Sequence, residues 1–273
     1  MTDILTRLRT LDAGRAHYRL LVLAGIGWMF DAMDTGMVSF VLPVLAQDWN
    51  LPPAQLGYIV SIAFAGMAAG AVAGGWLADR FGRKTVFAAA MLVYGTATGL
   101  CALAHNMETL LFYRFWVGVG LGAQLPAAVA LVGEYAPPKV RGRFIVLLES
   151  FWGLGWLVAA LAAYFLIPKL GWQAAFTVGA LPVLYVPLVW KYIPESVPYL
   201  VSRGKIEEAH RLVCRLEREA GREPAAAAEA APAPVPERPR FGMLWQPPFA
   251  RRTLMLWAVW FGIMFSYYGI FTT

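Results

Sequence analysis

Six apolar segments, each about as long as a bilayer core is thick, recur along this chain with short charged links between most of them. A helix needs roughly 20 apolar residues to cross hydrocarbon, and segments of that length run over 20–46, 57–78, 85–104, 108–132, 144–167 and 172–192. A seventh opens near Thr253 and is cut short at Thr273. In lipid every backbone amide must find its partner within the segment, so such stretches fold as helices. The expected class is an all-α membrane protein: a six-span bundle plus the start of a seventh span. With 59% hydrophobic and 15% charged residues, the chain carries too little charge for an ordinary soluble domain.

The net charge of +6 is distributed by loop. Arg7, Arg9, Arg15 and Arg19 precede the first segment; Arg80, Arg83 and Lys84 follow the second; Lys139, Arg141 and Arg143 follow the fourth; and a larger group follows the sixth. The alternate links hold only Lys169. Such asymmetry sets topology, placing the amino terminus and the long connection in the cytoplasm of a multi-pass protein of the inner (plasma) membrane. The charge therefore points to a lipid bilayer and to no nucleic acid. The first segment is too long for a leader core and carries two aspartates, so it is not read as a cleaved signal.

Four regions follow. Residues 1–19 form a cytoplasmic tail and 20–192 the six-span bundle. Residues 193–252 form a cytoplasmic connection, with an amphipathic helix over 202–220 and a Pro/Ala-rich linker over 221–240, and 253–273 is a truncated seventh span. Cys101 lies in the third span and Cys214 in the connection, which makes a disulfide between them implausible. The spacing GxxxxGK[ST] is absent, as are HExxH and CxxC, so no ATP-driven pump, metal enzyme or cofactor is expected.

The decapeptide from Gly75 to Lys84, GWLADRFGRK, joins the second and third segments. It places Asp79, Arg80, Arg83 and two glycines, Gly75 and Gly82, in one short turn. Glycine suits a sharp turn or close approach, and Asp79 suits a helix terminus or an arginine, the parts of a hinge or latch. Position for position, the string is similar to the signature that major facilitator transporters carry between their second and third spans. The loop GEYAPPKVRGR and the segment PES at Pro194–Ser196 resemble sugar porters and organic-ion transporters of that superfamily. Val197 and Pro198, however, stand near the place of an arginine usual in sugar porters. The resemblance implies a twelve-span machine of two six-span halves, of which this chain would supply the amino-terminal one. The carboxy-terminal half would then be a partner.

Charges inside the spans call for a reason. Asp31 and Asp34 in FDAMDTGM share one helix face, at depths of roughly 16 and 21 Å from the cytoplasmic start. Each costs about 2.5–3.5 kcal/mol in mid-bilayer, a cost that a proton-coupling pair explains. A structural contact to a neighbouring helix explains it as well. Arg114 in RFWVGVGLG falls roughly 9 Å below the outer surface, a depth that permits an ion pair with Asp34. Its likeness to the superfamily's fourth-span motif implies proton coupling or substrate binding. Glu149, Trp152 and Trp156 in LLESFWGLGW, with Tyr267 in FSYYGIF, suit a flat organic substrate. Glu149 also suits a balancing role toward Arg141 or Arg143. Gly66, Gly70 and Gly74 form a small-residue stripe, expected to serve the sliding contact between halves.

FDAMDTGM, LLESFWGLGW and FSYYGIF together resemble the nicotinate and aromatic-acid proton symporters of the superfamily. The expected function is proton symport of a small organic anion by alternating access. The alternatives are a sugar or organic-cation carrier, or a fragment that inserts and transports nothing.

Overall fold

In the computed structural model the described residues are 2–223, 242 and 245–271, and they contain helices and no strand. The chain divides into two units, Met1–Ala231 and Pro232–Thr273. The first holds α1 (Thr2–Thr10), α2 (Arg15–Asp48), α3 (Pro53–Phe81), α4 (Arg83–Cys101), α5 (Met107–Tyr135), α6 (Arg141–Leu170), α7 (Trp172–Val178), α8 (Leu181–Tyr192), α9 (Val197–Ser202) and α10 (Ile206–Glu219). The second unit holds α11 (Phe249–Phe271). Most of the 221–240 linker lies outside the described residues.

The six apolar segments are all helical, and most of the helices overrun their segments by a few polar residues. At 34 residues, α2 is about 50 Å long, well over a hydrocarbon core of about 30 Å, so its ends project beyond it.

Small residues draw the helices together. Gly66 and Gly70 face the carbonyls of Phe115 and Val119, and Gly74 faces Ala123; reciprocally, Gly118 and Gly122 face the carbonyls of Ala63 and Met67. A Cβ at any of these positions would collide with the opposing chain, so two backbones approach as closely as glycine allows. The stripe expected to slide between halves therefore lies inside this unit, clasping α3 to α5. Between α2 and α6, Gly155 receives Met29 and Ala32, Gly25 the ring of Phe151, and Gly36 the indole of Trp156.

The structure adds detail to three sequence expectations. The sixth segment is a candidate span over Trp172–Tyr192, as expected, with its helix interrupted at Gly179 and Ala180 between α7 and α8. Pro182 cannot donate to Val178, and the chain tightens instead through Ala180 N–H to Thr177 O at 3.1 Å. The helix expected over 202–220 is α10, which starts later, at Ile206, after a turn at Gly204 with φ 74°; a separate short helix, α9, precedes that turn. The tail 1–19 contains a docked helix. Arg7 in α1 donates to Glu217 of α10 through Nε at 2.9 Å and Nη2 at 2.6 Å, with both side chains under a tenth exposed. The Glu217 bond holds the Arg7 guanidinium above its ordinary pKa, against the effect of burial. Ile4 and Leu8 of α1, and Ala209, Val213 and Leu216 of α10, are buried.

Candidate functional site

The centre of the first unit is charged. Asp34 and Arg114 are 1% and 3% exposed, and Arg114 Nη1 donates to Asp34 Oδ2 at 3.3 Å. Thr98 Oγ1 of α4 donates to Asp34 Oδ1 at 2.6 Å. Three helices thus converge on one carboxylate. A buried ion pair must recover several kcal/mol of lost hydration per charge, and it does so only when its spare valences are met; Thr98 meets one. The guanidinium keeps capacity in hand, since Arg114 Nε has no hydrogen-bond partner among the described residues.

Asp31 lies one turn along α2 and is 2% exposed. Its Oδ1 has no partner among the described residues, and it lies within electrostatic reach of Asp34 and Glu149. Polar residues that sequence reasoning passed over flank it. Tyr94 sits one turn below Thr98 on the same face of α4, fully buried, within the field of Asp31 and beside the Gln124 amide. Gln124 of α5 is buried and donates through Nε2 to Gly27 O at 2.9 Å. The signal was present in the sequence, as polar side chains within apolar spans. Gly179, where the sixth segment breaks, faces Thr98 and Asp34; a Cβ there would lie 3.5 Å from Asp34 Oδ1. The helix interruption adjoins the ion pair, as irregular backbone in membranes does where it lines a site.

The aromatic residues line the α2–α6 seam. Trp28 and Trp152 have ring centroids 5.4 Å apart, and Trp156 packs over Gly36. Glu149 is on the exposed side of α6, with no cation within 4.0 Å among the described residues, so the balancing pair with Arg141 or Arg143 is not formed. The side chain of Tyr267 lies outside the described residues.

The decapeptide is helical up to Phe81, and the expected short turn is a single residue, Gly82, at φ 103° and ψ 153°. That conformation favours glycine, and a Cβ would also strike the Glu195 carboxylate. Gly75 neither turns nor makes a close approach: it is mid-helix, and a Cβ there would meet nothing within 4 Å. Around Gly82, Arg83 donates to Asp79 Oδ1 at 2.8 Å and Ala78 O at 3.0 Å, and its Nε is 3.3 Å from Glu134 Oε1. Glu195 Oε1 accepts from the backbone N–H of Lys84 at 3.1 Å and of Ser196 at 2.9 Å, meeting one of the orphan donors at the start of α4. Tyr135 Oη donates to Glu195 O at 2.6 Å, Ser196 Oγ to Glu134, and both Tyr199 Oη and Arg203 to Arg80 O. The acids that organise this cluster, Glu134 and Glu195, come from two other segments, so the decapeptide alone does not reveal them.

Comparison with known proteins bears on family and fold. The profile of the Major Facilitator Superfamily matches residues 24–273. The niacin transporter NiaP of Acinetobacter baylyi is 58% identical over 270 residues, covering 99% of this chain and 62% of the relative. A putative niacin/nicotinamide transporter of Bacillus subtilis is 40% identical over 253 residues, covering 93% and 56%. The 4-hydroxybenzoate transporter PcaK of A. baylyi is 33% identical, covering 97% and 61%. The chain thus spans somewhat more than half the length of these relatives. Among solved structures, the proton:xylose symporter XylE aligns with a TM-score of 0.66 at 22% identity, covering 73% of this chain and 49% of that one; this likeness concerns the fold.

Proposed function

Since the chain belongs to the major facilitator superfamily, we propose that it supplies the amino-terminal half of a secondary transporter working by proton symport of a small organic anion, nicotinate or a related aromatic carboxylate. The observation that carries this reading is the buried Asp34–Arg114 pair with its spare guanidinium donor. Protonating Asp34 removes the negative partner and leaves Arg114 an uncompensated cation. A substrate carboxylate then restores neutrality by taking the place of Asp34 on the guanidinium. Proton and monoanion together leave the net charge of the pair unchanged, so the cation left by protonation is what draws the anion in. Asp31, one turn away, supplies a second protonatable position on the path. Trp152, backed by the buried Trp28, and Trp156 offer flat faces to an aromatic ring, and Glu149 orients the ring's polar edge. The names of the three relatives support the substrate class.

By the positive-inside rule the end bearing α1 and α10 faces the cytoplasm, in the inner membrane. There the cluster of Asp79, Arg80, Gly82 and Arg83 acts as a latch that fastens and frees the two halves during alternating access. The test is uptake of labelled nicotinate by cells expressing the intact gene. Competition by aromatic acids, together with loss of accumulation when the pH gradient is collapsed, supports the reading. Competition by sugars or amines instead, or accumulation indifferent to the gradient, overturns it.

A further inference from the structure

We propose that a cavity at the α1/α10 end of the first unit binds an anionic phosphate group, presented by a phospholipid headgroup or as free phosphate. The cavity has a volume of about 160 Å³, about five water volumes. Four cations from four helices line it: Arg19 of α2, Lys84 of α4, Lys191 of α8 and Arg215 of α10. One carboxylate, Glu219, opposes them, and it is already divided between Arg215 at 3.0 Å and Arg19 at 3.6 Å. Neither Lys84 nor Lys191 has a carboxylate within 4.0 Å among the described residues. Glu195 acts on Lys84 only at longer range. The two ammonium groups lie 5.3 and 5.2 Å from the ring centroids of Trp190 and Tyr192, aromatic contacts that hold a cation without neutralising it. Tyr135 and Tyr192 also line the cavity.

Topology alone explains why cations gather on one side of a membrane protein. It does not explain why four of them, from separate elements, converge on one cavity with a single shared acid. The positions fit a headgroup: Lys84 is the second residue of α4 and Lys191 lies next to the last residue of α8, so the cavity opens where helix ends meet the lipid–water boundary. Basic pockets at that level recognise anionic headgroups, each cation contributing about 1 kcal/mol. Bound there, a phosphate bridges α2, α4, α8 and α10 and ties the surface helices to the bundle. The inference needs only that this end lie at a membrane surface, so it is independent of the proposed substrate and coupling.

The experiment measures the rise in melting temperature of the purified full gene product in detergent, titrated with phosphatidylglycerol, phosphatidylcholine or inorganic phosphate. A saturable rise with phosphatidylglycerol, absent with phosphatidylcholine, identifies a lipid source; the same rise with inorganic phosphate alone identifies a free anion. In either case K84Q/K191Q weakens the apparent affinity roughly 25-fold, at about 1 kcal/mol per cation. Equal rises with both lipids, or an undiminished response in the double variant, overturn the proposal. R215Q removes an exposed cation of α10 and leaves Glu219 to Arg19 alone; it serves as the second variant should K84Q/K191Q fail to fold, and lowers the affinity at least roughly fivefold.

Discussion

Asp34 is held by two neighbours that respond differently to loss. Removing the Thr98 hydroxyl with Thr98→Val deletes one hydrogen bond to a charge, a cost of about 1.5–3 kcal/mol. Arg114→Ala strands a buried carboxylate and costs about 3–5 kcal/mol, read as a fall in melting temperature of the detergent-purified protein. D34N/R114Q, which removes both charges together, is expected to melt above R114A while remaining inactive in proton-driven uptake. A double variant no more stable than R114A would place the stability of the centre elsewhere. At this scale the charged residues were legible in the sequence, because a charge within an apolar span is conspicuous and its depth follows from helical rise. Thr98, Tyr94 and Gln124 were less legible: a hydroxyl or amide in a span stands out weakly until its helix partner is known.

Within elements, spacing told more about which faces are tight than about what they touch. Gly66, Gly70 and Gly74 read as a close-packing stripe, and they are one; that their partner is α5 of the same unit depended on tertiary contact. The contrast with Gly75 gives a paired prediction on one helix. Gly70→Ala drives a methyl into the Val119 carbonyl and costs about 1–3 kcal/mol. Gly75→Ala, where a Cβ meets nothing, stays within about 0.5 kcal/mol. Equal melting shifts for the two would contradict the packing described for α3 and α5. The tail of the chain hid an element altogether. Residues 2–10 read as a charged lead-in, and only the partner α10, some two hundred positions away, reveals that Arg7 and Glu217 pair out of solvent. Arg7→Ala is expected to strip hydrogen-exchange protection from α1 while leaving α2 unchanged; retained protection would show that α1 is held by its apolar face alone.

For the molecule as a whole, apolar length and charge asymmetry were enough to name a helical membrane bundle, because bilayer thickness and backbone desolvation leave few alternatives. The break in the sixth segment escaped that reading, since Gly179 and Pro182 stand among apolar neighbours whose length alone marks a span. Its position beside Asp34 gives the break meaning within the proposed transporter. In the proposed mechanism the Asp34–Arg114 pair exchanges its carboxylate for the substrate's when a proton enters, which returns the buried site to neutrality. The most direct test is uptake by the purified full gene product in sealed liposomes, with labelled nicotinate, an imposed inside-alkaline gradient and simultaneous proton recording. The expected result is one proton taken up with each nicotinate and accumulation insensitive to membrane voltage, and for D34N loss of uphill accumulation with exchange of internal for external nicotinate retained. Undiminished uphill accumulation by D34N, accompanied by proton uptake, would contradict it.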